Sequence, residues 1–182
     1  MDHQARETEV DELAESIAQC YEKVRALAEK WRQENPPDRA KIQQALEPLA
    51  ERARTLRTLY VGYRERFAPL LEKIAALDLD SLENLHDFGQ VSVTPEAARR
   101  VCRAMAAGVD DLERIVGEAD AFAAGKREDI AFVDFSRIVE RLTHEGRELF
   151  ADLRYILSRL GTFADNQPAP PGETTLSDIR MV

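Results

Sequence analysis

The chain carries its apolar residues at alternating intervals of three and four, the spacing that lines one face of an α-helix. In the first segment that face reads Val10, Leu13, Ile17, Cys20, Val24, Leu27 and Trp31. Thr8 stands where an N-cap belongs, with Asp11 three residues on. Asn35-Pro36-Pro37 marks the stop, because proline cannot continue the hydrogen-bond ladder. The second segment holds the alternation longest: Ile42, Leu46, Leu49, Ala53, Leu56, Tyr60, Tyr63, Phe67, Leu70, Ile74 and Leu77, behind Asp38 as N-cap. Pro48 and Pro69 fall off this seam and the seam keeps phase through them, so the pattern predicts one long helix with bends at the prolines.

Thr94-Pro95-Glu96 is the clearest helix start in the chain, with threonine as N-cap and proline at the first helical position. Ala98, Val101, Met105, Gly108, Leu112, Ile115, Ala119 and Phe122 follow in register, and Gly125 ends the segment. The last seam is Phe135, Val139, Leu142, Gly146, Leu149, Leu153, Ile156 and Leu160, with Gly161 as its expected stop. Residues 78–93 connect the second and third segments, where Asp80 and Glu83 suggest one short capped helix and Gly89 its end.

The stripes are wider than a two-stranded seam: Ala14, Tyr21 and Ala28 flank the first, and Cys102, Val109 and Val116 the third. Short connections favour antiparallel neighbours. The expected fold is therefore all-α: an elongated, up-down antiparallel four-helix bundle with one short connector helix. Residues 1–7 are expected to fray, 8–163 to form the bundle, and 164–182 to be a flexible, proline-rich tail. That tail ends in an apolar-charged peptide containing Leu176, Ile179 and Val182. Gly108 and Gly146 stand out on the seams, because glycine inside a helix costs about 1 kcal/mol relative to alanine. Close helix approach is the simplest reason for them; a hinge, or room for a partner's side chain, is the functional alternative.

Composition narrows the function classes. The 182 residues are 44% hydrophobic and 32% charged, enough apolar material for a core. A net charge of −9 argues against a globally basic nucleic-acid binder. No apolar run is long enough for a membrane span, and no signal-peptide core follows Met1, so a cytoplasmic protein is expected. Two cysteines, Cys20 and Cys102, cannot build a disulfide framework, and both fall on or beside seams, as small hydrophobes do. Arginine outnumbers lysine 20 to 5, which hints at a GC-rich bacterial genome.

No G-x-S-x-G elbow and no glycine-rich phosphate loop occurs, so no enzyme activity and no cofactor are expected. Ferritin-like metal sites need Glu-x-x-His pairs on facing helices. The chain has one such motif, Glu83 to His86, while His144 has Arg141 three residues before it and falls on an outer face. A bundle metalloprotein is the third-ranked reading. Arginines cluster twice: Arg52, Arg54, Arg57, Arg64 and Arg66 with only Glu65 among them, and then Arg99, Arg100 and Arg103. Flanking a seam, such side chains cover apolar neighbours and pair with acids on adjacent helices. They also suit phosphates or acidic protein surfaces.

The reading that follows is a non-catalytic helical-bundle adaptor or regulatory subunit acting by protein–protein interaction, with self-association left open. Its candidate partner surfaces are the connector at Leu82, Leu85 and Phe88, the arginine face at Arg52, Arg57, Arg64, Arg99, Arg100 and Arg103, and the terminal Leu176, Ile179 and Val182. The alternative is an accessory subunit of a nucleoprotein complex, its arginine face against RNA or single-stranded DNA.

Overall fold

In a computed structural model, residues 3–31, 33, 38–76, 94–127 and 135–166 are described. Helix α1 spans His3–Trp31, α2 Arg39–Ala75 and α3 Pro95–Ala123. Helix α4 is α-helical over Ser136–Glu140, π-helical over Arg141–Glu145 and α-helical again over Gly146–Asn166. No strand occurs among the described residues.

The ends of α2 and α3 follow from local chemistry. Asp38 Oδ1 accepts the Lys41 backbone N–H at 3.4 Å while Lys41 Nζ lies 3.3 Å from Oδ2. These hydrogen bonds, the side-chain one first, hold the Asp38 carboxyl below the usual carboxylate range. Thr94 Oγ1 accepts the Ala97 N–H at 3.1 Å, and Pro95 enters the helix where its missing N–H costs nothing. At the far end Gly125 takes φ +73°, so that its N–H reaches the Phe122 carbonyl at 3.0 Å and the Lys126 N–H the Ala121 carbonyl at 2.9 Å. Helix α2 passes Pro48 and Pro69 as a single 37-residue element, about 55 Å long.

Helix α1 packs on α2 and α4, and α3 packs on the same two, closing a four-helix bundle. Arginines record the antiparallel order. From the start of α2, Arg39 donates to the Phe122 carbonyl at the end of α3; Arg57 meets Glu113 midway; Arg99, at the start of α3, donates to the Ala75 carbonyl at the end of α2. Between α3 and α4 the order reverses in the same way, with Arg100 on Asp152 and Arg141 on Asp111.

The interior is apolar: among the described residues no polar or charged residue is buried. It contains Ile17, Leu56, Tyr60, Phe67, Met105, Leu112, Ile115, Leu142, Leu149 and Leu153. Two seams are rotated from their expected lines. On α1 the flanking Ala14, Tyr21 and Ala28 are buried, whereas Leu13 and Leu27 are half-buried. On α2 the seam steps from Phe67 to Leu71, leaving Leu70 half-buried. An α-helix drifts by about 20° per heptad against a seven-residue repeat, and one extra step of four restores the buried face after several heptads.

Two helix ends also differ from expectation. Helix α1 starts at His3, five residues before Thr8, because Gln4, Ala5, Arg6 and Glu7 favour helix and nothing there interrupts it. Helix α4 runs past Gly161 and through Ala164 to Asn166. A lone glycine weakens a helix without ending it, and the next backbone obstacle is Pro168, which disfavours helix at Gln167. The connector with Leu82, Leu85 and Phe88, the Glu83–His86 motif, and the terminal Leu176, Ile179 and Val182 lie outside the described residues.

Candidate functional site

The two seam glycines meet at one side chain. Tyr60, 2% exposed, points from α2 between α3 and α4. A Cβ built on Gly108 would lie 2.7 Å from the ring carbon Cδ1 and closer still to Cε1, so the ring packs directly against the α3 backbone. A Cβ on Gly146 would lie 3.0 Å from the Tyr60 hydroxyl. The glycines are thus the two walls of a tyrosine slot. Phe150 completes the packing, its ring centroid 5.4 Å from that of Tyr60 and 5.0 Å from that of Tyr63, both edge-to-face.

Where the hydroxyl emerges, α4 is wound as the π turn Arg141–Glu145. Gly146 donates its N–H to the Arg141 carbonyl, five residues back, instead of to Leu142. Thr143 Oγ1 donates to the Val139 carbonyl at 2.9 Å, a back-bond that bends helices. A narrow crevice of about 20 Å³ opens here, with Tyr60, Asp111, Leu142 and Glu145 among its walls. Arg141 holds Asp111 through both carboxylate oxygens, at 3.0 Å and 2.6 Å. Arg147, one turn further, lies between Asp11 and Glu15 of α1. Burial, and then the charges of Asp11 and Asp111, push the Tyr60 hydroxyl well above its ordinary pKa. The phenol is therefore a neutral hydrogen-bonding group at physiological pH, and not a nucleophile.

The arginine clusters act largely as staples between helices. Arg52 donates to Ser16 of α1 and to the Pro48 carbonyl, Arg54 to Asp120 at 2.5 Å, and Arg57 to Glu113 through two nitrogens. Arg99 caps the α2 carbonyl of Ala75 at 2.7 Å, and Arg100 grips Asp152 at 3.2 Å and 2.6 Å. Arg64 and Arg103 are exposed; Arg64 borders a shallow cleft on α2 with Val61, Ala68 and Pro69. The structure does not join these arginines into one face: Arg52 turns toward α1, Arg57 toward α3, and Arg100 toward α4.

Cys20 is buried and Cys102 half-buried. Burial first, and Glu72 second, raise the Cys102 thiol, which keeps it a poor nucleophile. Among the described residues no group of three or more His, Cys, Asp and Glu could hold a metal ion.

One surface feature was missed by sequence reasoning. Tyr155 is 43% exposed, the one large apolar side chain so placed among the described residues. The Arg159 guanidinium sits 5.3 Å from its ring centroid, and Ser158 Oγ donates to its carbonyl at 2.9 Å. Asp152, held by Arg100 from α3, lies three residues earlier on the same helix face. The signal was present in the sequence: Tyr155 is an aromatic off the Leu149–Leu153–Ile156 seam. No protein-family model matches the chain, and no curated protein or solved structure matches it either.

Proposed function

We propose that this bundle is a non-catalytic adaptor or regulatory subunit that acts by protein–protein interaction within a larger assembly. The observation that carries the reading is Tyr155, exposed on α4 with Arg159 against its ring and the Arg100–Asp152 bridge beside it. Tyrosine and arginine are the residue types that concentrate binding energy at the centres of protein interfaces. The apolar interior and the stapled arginines support the same reading, since Arg52, Arg57 and Arg100 already have protein partners that a phosphate would have to displace. Two cysteines without a disulfide suit the reducing cytoplasm, and no described helix is long and apolar enough to cross a membrane.

The test is cross-linking and mass spectrometry on the tagged chain in its native host, with Tyr155→Ala beside it. The expected result is a defined set of proteins cross-linked near α4 and lost with Tyr155→Ala, while circular dichroism stays unchanged. An identical set from both forms, or salt-dependent retention on single-stranded RNA as the main interaction, overturns the reading.

A further inference from the structure

The crevice beside Tyr60 is small and mostly apolar, with a few polar groups, the buried Tyr60 hydroxyl and the Asp111 carboxylate among them, in its walls. Its volume of about 20 Å³ exceeds the roughly 10–15 Å³ that one water needs. A bound water also needs two to four polar partners. The Tyr60 hydroxyl can donate and accept. The Leu142 carbonyl has lost its α-helical donor, because Gly146 bonds to Arg141 instead. Asp111 receives one N–H from Arg141 on each oxygen, and each oxygen keeps a lone pair beyond that. All three residues line the crevice. Replacing the Gly146 hydrogen by a methyl group would bring carbon to 3.0 Å from the hydroxyl and fill this space, which gives the glycine a second purpose.

We propose that this crevice is a specific site for one water molecule, held by the Tyr60 hydroxyl, the Leu142 carbonyl and the Asp111 carboxylate, and that this water keeps the π turn of α4 open. A water inserted beside a helix ladder is a recognised cause of its local rewinding. The chemistry selects water over other small ligands. An apolar guest would leave the hydroxyl and the carbonyl without partners, and the Arg141 guanidinium, in the same wall and already paired with Asp111, repels a metal ion. Without the water, Gly146 has every reason to return its N–H to Leu142, which would make α4 uniformly α-helical.

A high-resolution crystal structure of the full chain, with Tyr60→Phe and Gly146→Ala solved alongside, tests the site directly. The expected result is one ordered water within hydrogen-bond distance of Tyr60 Oη and the Leu142 carbonyl in the unmodified protein. In both variants the water is lost and the Gly146 N–H moves to Leu142. Amide hydrogen exchange in solution gives a second readout: protection of Gly146 should change by about tenfold in Tyr60→Phe. If one variant fails to fold by circular dichroism, the other carries the comparison. A dry crevice with Tyr60 Oη bonded directly to Leu142 or Asp111 overturns the proposal. So does a π turn that persists unchanged in a variant lacking the water.

Discussion

Helices α3 and α4 carry the same seven-residue pattern and each places a glycine on its seam against the same tyrosine, yet α3 stays α-helical at Gly108 while α4 unwinds into a π turn just before Gly146. The difference lies in which part of Tyr60 each helix meets. Gly108 meets ring carbons, which need only room, and omitting a Cβ supplies it. Gly146 meets the hydroxyl, which needs a polar partner as well. A regular α-helix offers no free carbonyl, only the second lone pair of one that already accepts an N–H from four residues on. Shifting one turn to a five-residue step releases such a group. A tyrosine in a helical core thus asks for two kinds of accommodation, and this bundle assigns one to each neighbour.

The largest effect should come from the core that both helices share. Leu56 is fully buried and Leu149 is 4% exposed. Truncating either to alanine should cost about 2–5 kcal/mol in urea denaturation. A loss under about 1 kcal/mol at both would mean that the bundle closes differently. Next come the glycines themselves. Gly108→Ala adds a carbon against a ring wedged between two helices and should cost about 1–3 kcal/mol, despite the better helix propensity of alanine. Gly146→Ala should lie within about 1 kcal/mol of the unmodified protein, because its clash is only with a hydroxyl at 3.0 Å and the propensity gain offsets it. Equal costs at the two sites would erase the contrast. Combining Gly108→Ala with Tyr60→Leu should recover part of the loss, as a double-mutant cycle would show.

Much of this architecture was legible because it rests on short-range rules. Thr94-Pro95 and Gly125 announce the ends of α3, and the residues between them at steps of three and four are the ones that the structure buries. Asp38 is equally plain. Gly108 and Gly146 could be flagged as costly, but the residue filling both lies 48 positions before one and 86 before the other, on a seam where nothing marks Tyr60 as different from Leu56. The π turn is hidden for the same reason: Arg141–Glu145 has no composition that forbids an α-helix, and the Tyr60 side chain that borders it lies on another element. The arginine clusters could be read as seam-flanking residues that pair with acids, but which helix each would reach could not. Neighbours along α2 face different helices, so adjacency in sequence says little about a shared face.

Smaller effects should separate the ion pair that flanks the slot from pairs elsewhere on the surface. The Asp111 side chain is 12% exposed and bound through both oxygens, whereas Glu113, the partner of Arg57, is 51% exposed. Geometry and partial burial favour the first pair, while solvent screens the second. Asp111→Asn should therefore cost about 1 kcal/mol and persist in high salt, and Glu113→Gln should cost a few tenths of a kcal/mol that vanish there. Equal salt dependence of the two would place the Asp111–Arg141 bridge among ordinary surface pairs.

The smallest effect at neutral pH, and one that grows only in alkali, belongs to the Tyr60 proton. Burial raises the folded phenol above its ordinary value of 10.0, so below that pH both the folded and the unfolded chain keep the proton and the group leaves stability unchanged with pH. As pH rises past 10 the unfolded chain releases the proton while the folded chain retains it. Stability should then fall by at most about 1.4 kcal/mol per pH unit from this group, until the folded phenol also ionises. Other groups titrate in the same range, so the quantity to measure is the difference between the unmodified protein and Tyr60→Phe in denaturant midpoints taken from pH 8 upward, roughly two units either side of the tyrosine reference value. The two curves should run parallel at first and converge above pH 10, the phenylalanine variant losing less stability. Parallel curves throughout would mean that the hydroxyl ionises as readily in the fold as outside it, and that the slot between Gly108 and Gly146 leaves it open to bulk water.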